Sequence, residues 1–86
     1  MTLQQLEYFV SAAHNLNFSK TAELFFISQS AVTQQIRSLE KELKLDLFIR
    51  KNNRLSLTDS GQVFLREAEQ ILAKVSDSIE RVHSVQ

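Results

Sequence analysis

Apolar residues recur along this chain at intervals that change twice. Leu3, Leu6, Phe9, Val10 and Ala13 fall at helical spacing and predict a helix from about Leu3 to His14 with one buried face. Thr2 and Gln5 have capping-box spacing at its start, and Asn15 to Asn17 read as a loop. A second, short helix is expected from about Lys20 to Phe26, with Ser19 as N-cap and Ala22 and Phe25 on its inner face. Leu24 and Phe26 do not fit that face and are read as surface residues or as part of a partner contact. The third helix starts at its N-cap Ser28 and runs to about Leu43. Val32, Ile36, Leu39 and Leu43 follow one another at intervals of four, three and four, which makes one core-facing stripe. Only Ile27 and its neighbours separate the two helices, the layout of a helix-turn-helix.

From Leu47 to Leu57 the period changes. Phe48 to Lys51 and Arg54 to Leu57 flank Asn52 and Asn53, residues that tolerate positive φ, so a two-residue hairpin turn is predicted. Thr58 then caps a last helix, with Asp59 placed where the helix dipole favours negative charge. In that helix Phe64, Ala68, Ile71, Val75, Ile79 and Val82 are four, three, four, four and three apart, a spacing like a coiled-coil seam. Such a helix is roughly 40 Å long at 1.5 Å per residue, longer than so small a globule can cover. The candidate dimer interface is therefore Phe64, Ala68, Ile71, Leu72, Val75, Ile79 and Val82. Phe64 and Ala68 are also the members expected to pack on the first helix. The fold class is mainly α with a small β-hairpin.

Composition narrows the class. At 86 residues the chain is one domain, and a domain of this size buries only ~60% of the surface its unfolded chain exposes, so a partner chain is expected. The absence of cysteine excludes a disulfide framework, thiolate metal sites and thiol catalysis. The first residues, Met-Thr-Leu-Gln-Gln, lack the basic start and apolar run of a signal peptide. No apolar stretch approaches the ~20 residues that span a bilayer. The chain is expected to be soluble and cytoplasmic, without a membrane partner. Ten Lys and Arg balance ten Asp and Glu. The balance is uneven along the chain. Lys20, Arg37, Lys41, Lys44, Arg50, Lys51 and Arg54 outnumber Glu23, Glu40, Glu42 and Asp46, whereas acids predominate from Thr58 onward. The first half is thus polarised toward an anionic partner.

Candidate chemistry lies on the third helix. A helix ~10–12 Å across fits the DNA major groove. Gln can pair bidentately with adenine and Arg with guanine, while Ser and Thr can bond bases or phosphates. Ser28, Gln29, Ser30, Thr33, Gln34 and Arg37 there, with Ser19 and Lys20 at the start of the second helix, are the candidate DNA contacts. Arg50, Lys51 and Arg54 in the hairpin are candidates for the phosphate backbone or a minor groove. His14 and His83 are far apart with no cysteine to join them, so no metal site is expected; His14 is read as a dipole partner at a helix C-terminus. There is no nucleophile, base and orienter set and no glycine-rich phosphate loop, the only glycine being Gly61. No enzymatic activity and no cofactor are expected. The alternative is a protein-interaction module whose exposed helix meets a protein, with Leu24 or Phe26 in the contact.

Taken together, these residues resemble the N-terminal DNA-binding domain of LysR-type transcriptional regulators. The resemblance is carried by Leu6-Glu-Tyr-Phe-Val10, Phe18 with Ala22-Glu23, Ser28-Gln29 with Ala31, Gln35-Ile36, Leu39-Glu40, Leu47-Phe48 with Arg50, and Leu57-Thr58 with Gly61. It covers essentially the whole chain. It implies a winged helix-turn-helix over residues 1–58 (helix-turn-helix about 18–37, wing about 47–57) and a linker and dimerisation helix over 59–86. It also implies operator DNA as partner, a homodimer through the last helix that often assembles into a tetramer, and an effector-binding domain beyond this chain. A small-molecule effector would act only through that domain. Several positions depart from the family pattern. Ser30 stands where proline is usual. Gln34 stands where arginine is common, which implies an adenine preference in place of a guanine or phosphate contact. Asn53 takes the place of a common wing arginine, with Arg54 beside it as a substitute. Lys44 replaces a common glycine, so it must adopt a left-handed conformation or end the helix differently.

Overall fold

The computed structural model describes residues 1–85. Four helices and one hairpin follow in the order α1 (Leu3–Asn15), α2 (Phe18–Phe25), α3 (Gln29–Leu43), β1 (Phe48–Lys51), β2 (Arg54–Leu57) and α4 (Asp59–Ser84). The mainly α architecture with one hairpin is the one the hydrophobic pattern predicts. The last residue of the expected 59–86 helix, Gln86, lies outside the described residues.

Capping residues set most of the boundaries. Thr2 and Gln5 form the expected capping box, each side chain bonding the other's backbone amide at 3.0 Å. Ser28 and Thr58 cap α3 and α4 through the amides of Ala31 and Gly61. The second helix departs from expectation. Its N-cap is Asn17 and not Ser19: Asn17 Oδ1 accepts from the Lys20 amide at 3.0 Å, so the helix begins at Phe18. The loop between α1 and α2 shrinks to Leu16 and Asn17, because Leu16 turns the chain at φ 50°.

Left-handed residues end three of the helices, and none of them is glycine. Leu16, Phe26 and Lys44 sit at φ 50°, 57° and 58°, each at a cost of about 1–2 kcal/mol. At Lys44 the amide bonds Lys41 O and the Leu45 amide bonds Glu40 O, which closes α3 in a Schellman motif. This settles the two options for Lys44 in favour of the left-handed one. The hairpin turn has φ 54° and 60° at Asn52 and Asn53, the signature of a type I′ turn.

Helix α1 forms the centre, with α2, α3 and α4 all packed against it. The core joins Leu6, Phe9 and Ala13 of α1 to Ala22, Val32, Ile36, Leu39, Leu47 and Ala68. An aromatic chain carries this core to the hairpin. Phe48 meets Phe9 at 5.6 Å and Phe18 at 5.3 Å between ring centroids, and Phe9 meets Phe64 at 5.1 Å. Two of the three contacts are edge-on and that of Phe9 with Phe64 is tilted, and such pairs each contribute about 0.5–1.5 kcal/mol beyond their buried area. Buried polar groups are paired across elements: Gln5 Nε2 donates to Gln35 Oε1 at 3.0 Å, and the Ser11 and Thr21 hydroxyls lie 3.2 Å apart. His14, read as a dipole partner, also bonds Glu69 of α4 at 2.9 Å.

Helix α4 runs past the globule, and the molecule is 53 Å long but only 27 and 20 Å across. Its apolar stripe divides in two. Ala68 is fully buried, and Phe64 and Leu72 pack against the core of their own chain. Ala68 therefore has no surface left for a partner, while Phe64 and Leu72 are half-buried and keep part of theirs. Ile71, Ile79 and Val82 remain exposed, and Val75 is half-buried beside Ile71. Leu24 and Phe26, which no inner face could take, are exposed at 55% and 94%.

Candidate nucleic-acid interface

The outward face of α3 and the hairpin meet in one cleft. It has a volume of about 400 Å³, and Gln29, Thr33, Arg37, Arg50 and Leu55 are among its lining residues. Gln29, Thr33 and Arg37 lie four residues apart, so they form one row on α3. Ser30 and Gln34 lie about a quarter-turn round the helix, exposed and outside the cleft. Ser28 is exposed at the helix start, its hydroxyl occupied by the Ala31 amide and by Ser30 Oγ at 3.2 Å. Lys20 is exposed on α2. Ser19 is exposed too, but its hydroxyl donates to Gln29 Oε1 at 2.7 Å.

The hairpin divides its own cations. Strand register pairs Arg50 with Leu55 and Lys51 with Arg54. Successive strand residues face opposite sides, so Arg50 points with Leu55 into the cleft while Lys51 and Arg54 take the other face, next to the turn. Two cations directly opposite one another destabilise a strand pair unless an anion lies between or beside them.

These cations are unpaired among the described residues. The ion pairs among the described residues join the N-terminus to Glu42, His14 to Glu69, and Arg81 to Asp77. Lys20, Arg37, Lys41, Lys44, Arg50, Lys51 and Arg54 take part in none of them. Their charge is available to an external anion.

Three residues without an assigned role fix the cleft. Glu40 lines it, yet its carboxylate Oε2 accepts from the backbone amides of Leu47 at 2.7 Å and Phe48 at 3.3 Å. An acid inside a basic cleft is thus bound to the base of the hairpin and fixes that base to α3. Leu47, fully buried, has its carbonyl bonded by the Thr58 amide at 3.0 Å. Gly61 packs against that same carbonyl. The sequence signal for Glu40 is its place three residues after Arg37, which puts it on the α3 face that lines the cleft, whereas Glu42 lies off that face. Replacing Glu40 with Ala would leave two amides without an acceptor and is expected to cost about 1–3 kcal/mol. Urea unfolding measures this, and Glu40→Gln, which keeps an acceptor oxygen, should lose less than Glu40→Ala.

Among the described residues no group of three or more His, Cys, Asp or Glu could hold a metal ion, and no helix is long and apolar enough to cross a membrane.

The family described as bacterial regulatory helix-turn-helix protein, lysR family, matches residues 3–62. A probable RuBisCO transcriptional regulator of Phaeodactylum tricornutum is 46% identical over 77 residues, covering 90% of this chain and 25% of that protein. The HTH-type transcriptional regulator CitR of Bacillus subtilis is 42% identical over 85 residues, covering 99% of this chain and 29% of CitR. The chain thus spans about a quarter of the length of these relatives. Among solved structures, the BenM DNA-binding domain in complex with catB site 1 DNA superposes with a TM-score of 0.93 at 29% identity, covering 99% of this chain and 96% of that one. The CbnR DNA-binding domain in complex with DNA gives 0.93 at 32% identity, covering 99% and 98%.

Proposed function

This chain belongs to the LysR family of bacterial regulatory helix-turn-helix proteins, and from that premise we propose that it is the DNA-binding domain of a transcription regulator that reads operator DNA as a dimer. The observation that carries the reading is the cleft, where a polar row on α3 faces Arg50 of the wing and the surrounding cations form no ion pair among the described residues. In this reading α3 enters the major groove. Gln29, Ser30, Thr33, Gln34 and Arg37 approach base edges or phosphates, while Arg50, Lys51 and Arg54 hold the wing on the backbone or in a minor groove. The domain has no catalytic role. The alternative of a winged helix that meets only protein gains no support from the relatives.

Titration with a mixed-sequence duplex at low salt tests the reading directly. Binding that weakens steeply as salt rises is expected, and absence of salt-sensitive binding would overturn it. Base reading has its own test. Gln34 is exposed and outside the cleft, so Gln34→Ala should change sequence preference at one base step by about 1–3 kcal/mol while the fold stays intact. Site selection from random DNA measures that change.

The dimer is proposed on α4 through Ile71, Val75, Ile79 and Val82, the part of the stripe that its own chain leaves uncovered. Val75→Glu combined with Ile79→Glu should yield a monomer by sedimentation, and an unchanged mass would remove this seam. The sensor domain and any effector belong to the longer regulator implied by relatives about four times the length of this match.

A further inference from the structure

The geometry points to Lys51 and Arg54 as the two halves of one clamp on the outer face of the hairpin, which takes a single backbone phosphate of DNA and does not read the minor groove. This deepens the DNA-binding reading above and rests on it. Lys51 is the last residue of β1 and Arg54 the first of β2, and the register sets them directly opposite one another. The turn between them is tight, with φ 54° at Asn52 and 60° at Asn53. Side chains so placed start from Cβ atoms about 4.5–5.5 Å apart. Both residues are exposed, and neither takes part in an ion pair among the described residues. No acid occurs between Phe48 and Leu57. The next pair on the same face, Ile49 with Ser56, carries no charge. The free hairpin therefore holds two like charges where they repel, and an anion between them reverses the sign of that interaction.

The shape of the pair selects the anion. A phosphodiester shares one negative charge over two non-bridging oxygens, so an ammonium and a guanidinium side by side can each bond one oxygen. Lys51 brings a mobile point charge and Arg54 a planar fork, both suited to phosphate. The minor groove fits the pair less well. It is about 6 Å wide, whereas the two strands are already about 4.8 Å apart before any side chain is added. The cations are spread across that ribbon, one on each strand, and the residues at its tip are the uncharged Asn52 and Asn53. Arg50 points the other way, into the cleft with α3, and belongs to a separate contact.

Fluorescence anisotropy over a salt series tests this with the parent, Lys51→Gln, Arg54→Gln, the double variant and Arg50→Gln. With one shared phosphate, the surviving cation still holds it. Each single variant of the pair should therefore keep the parent's slope of log K against log salt, and weaken binding by about 2- to 5-fold, the range of an exposed ion pair. The double variant should lower the slope by about 0.9, one phosphate, and Arg50→Gln should do so by itself. Two separate phosphates would instead lower it by about 0.9 in each single variant and about 1.8 in the double, which overturns the clamp. A slope unchanged in the double variant, or a loss confined to A·T-rich duplexes, overturns it as well. In the free protein at low salt, either single variant should raise Tm by about 1–5 °C, and the gain should vanish near about 1 M salt. A Tm that does not rise shows that the cations do not strain the hairpin and removes the basis of the clamp. Should the parent show no salt-sensitive binding, the DNA reading fails and the clamp with it. A parent that binds while its variants follow the two-phosphate pattern leaves the DNA reading standing and overturns the clamp alone.

Discussion

Adding one methyl group at Gly61 is expected to destabilise the chain by about 3 kcal/mol, the upper end for overpacking, and to lower Tm by roughly 10–25 °C. A Cβ on Gly61 would stand 2.1 Å from the Leu47 carbonyl oxygen and 3.0 Å from Leu57 Cδ2. The nearer atom is backbone, and that backbone cannot retreat. The Leu47 side chain is fully buried, its amide is held by Glu40, and its carbonyl receives the Thr58 amide. The sign of the effect is diagnostic. Within a helix, Gly→Ala by propensity alone would stabilise by about 1 kcal/mol, so a fall in Tm reports the contact and a rise would remove it. Thermal unfolding followed by circular dichroism measures the change, with Ser60→Ala, one residue earlier in the same turn, as the control. Because the contact joins the wing base to α4, the variant that remains folded should also bind DNA less tightly.

Arg37→Ala together with Arg50→Ala is expected to weaken binding to any duplex by about 100-fold at low salt and to flatten the salt dependence. Each phosphate contact contributes about 0.9 to the slope of log K against log salt, so the loss of both should reduce it by nearly 2. The two residues come from different elements, α3 and β1, yet line one cleft. Both are exposed and neither is part of an ion pair among the described residues. Their removal should therefore change stability by no more than about 0.5 kcal/mol. Arg66→Ala on α4 is the comparison, since that exposed arginine lies outside the cleft. Fluorescence anisotropy across a salt series separates the outcomes. An unchanged slope would place the phosphates elsewhere. A slope reduced by only about 1, with preference lost at one position, would assign one arginine to a base.

Most of the fold was legible because its signals are local. Thr2, Ser28 and Thr58 cap helices through amides three residues away, and Asn52-Asn53 turns a hairpin by its own φ preference. The second helix shows where locality misleads. Ser19 and Asn17 are both competent caps. The choice fell to Asn17 because Phe18, as first helical residue, can then place its ring on Phe48 of the wing. That contact lies thirty residues away and leaves no trace in the spacing near Ser19. The left-handed ends at Leu16 and Phe26 are likewise unannounced, since residue type favours glycine or asparagine there. The packing of α1, α2 and α3 around a shared core holds them in that conformation.

The sequence named the residues that line the cleft but not their arrangement. Gln29, Thr33, Arg37 and Arg50 carry the right chemistry in the sequence, and the structure brings them together. It moves Lys51 and Arg54 to the opposite face of the hairpin, a consequence of register. It ties Ser19 to Gln29 and Glu40 to the wing, two links between segments seven to ten residues apart. By itself the sequence determined the elements, because helical and strand periods and caps are properties of neighbouring residues. It also determined that one half of the chain is basic. Only the tertiary structure decided which part of the α4 stripe is covered. Phe64, Ala68 and Leu72 meet the core, while Ile71, Ile79 and Val82 do not. Periodicity defines a face on a helix, but burial depends on where the other helices lie, and here their cover stops at Leu72, about midway along α4.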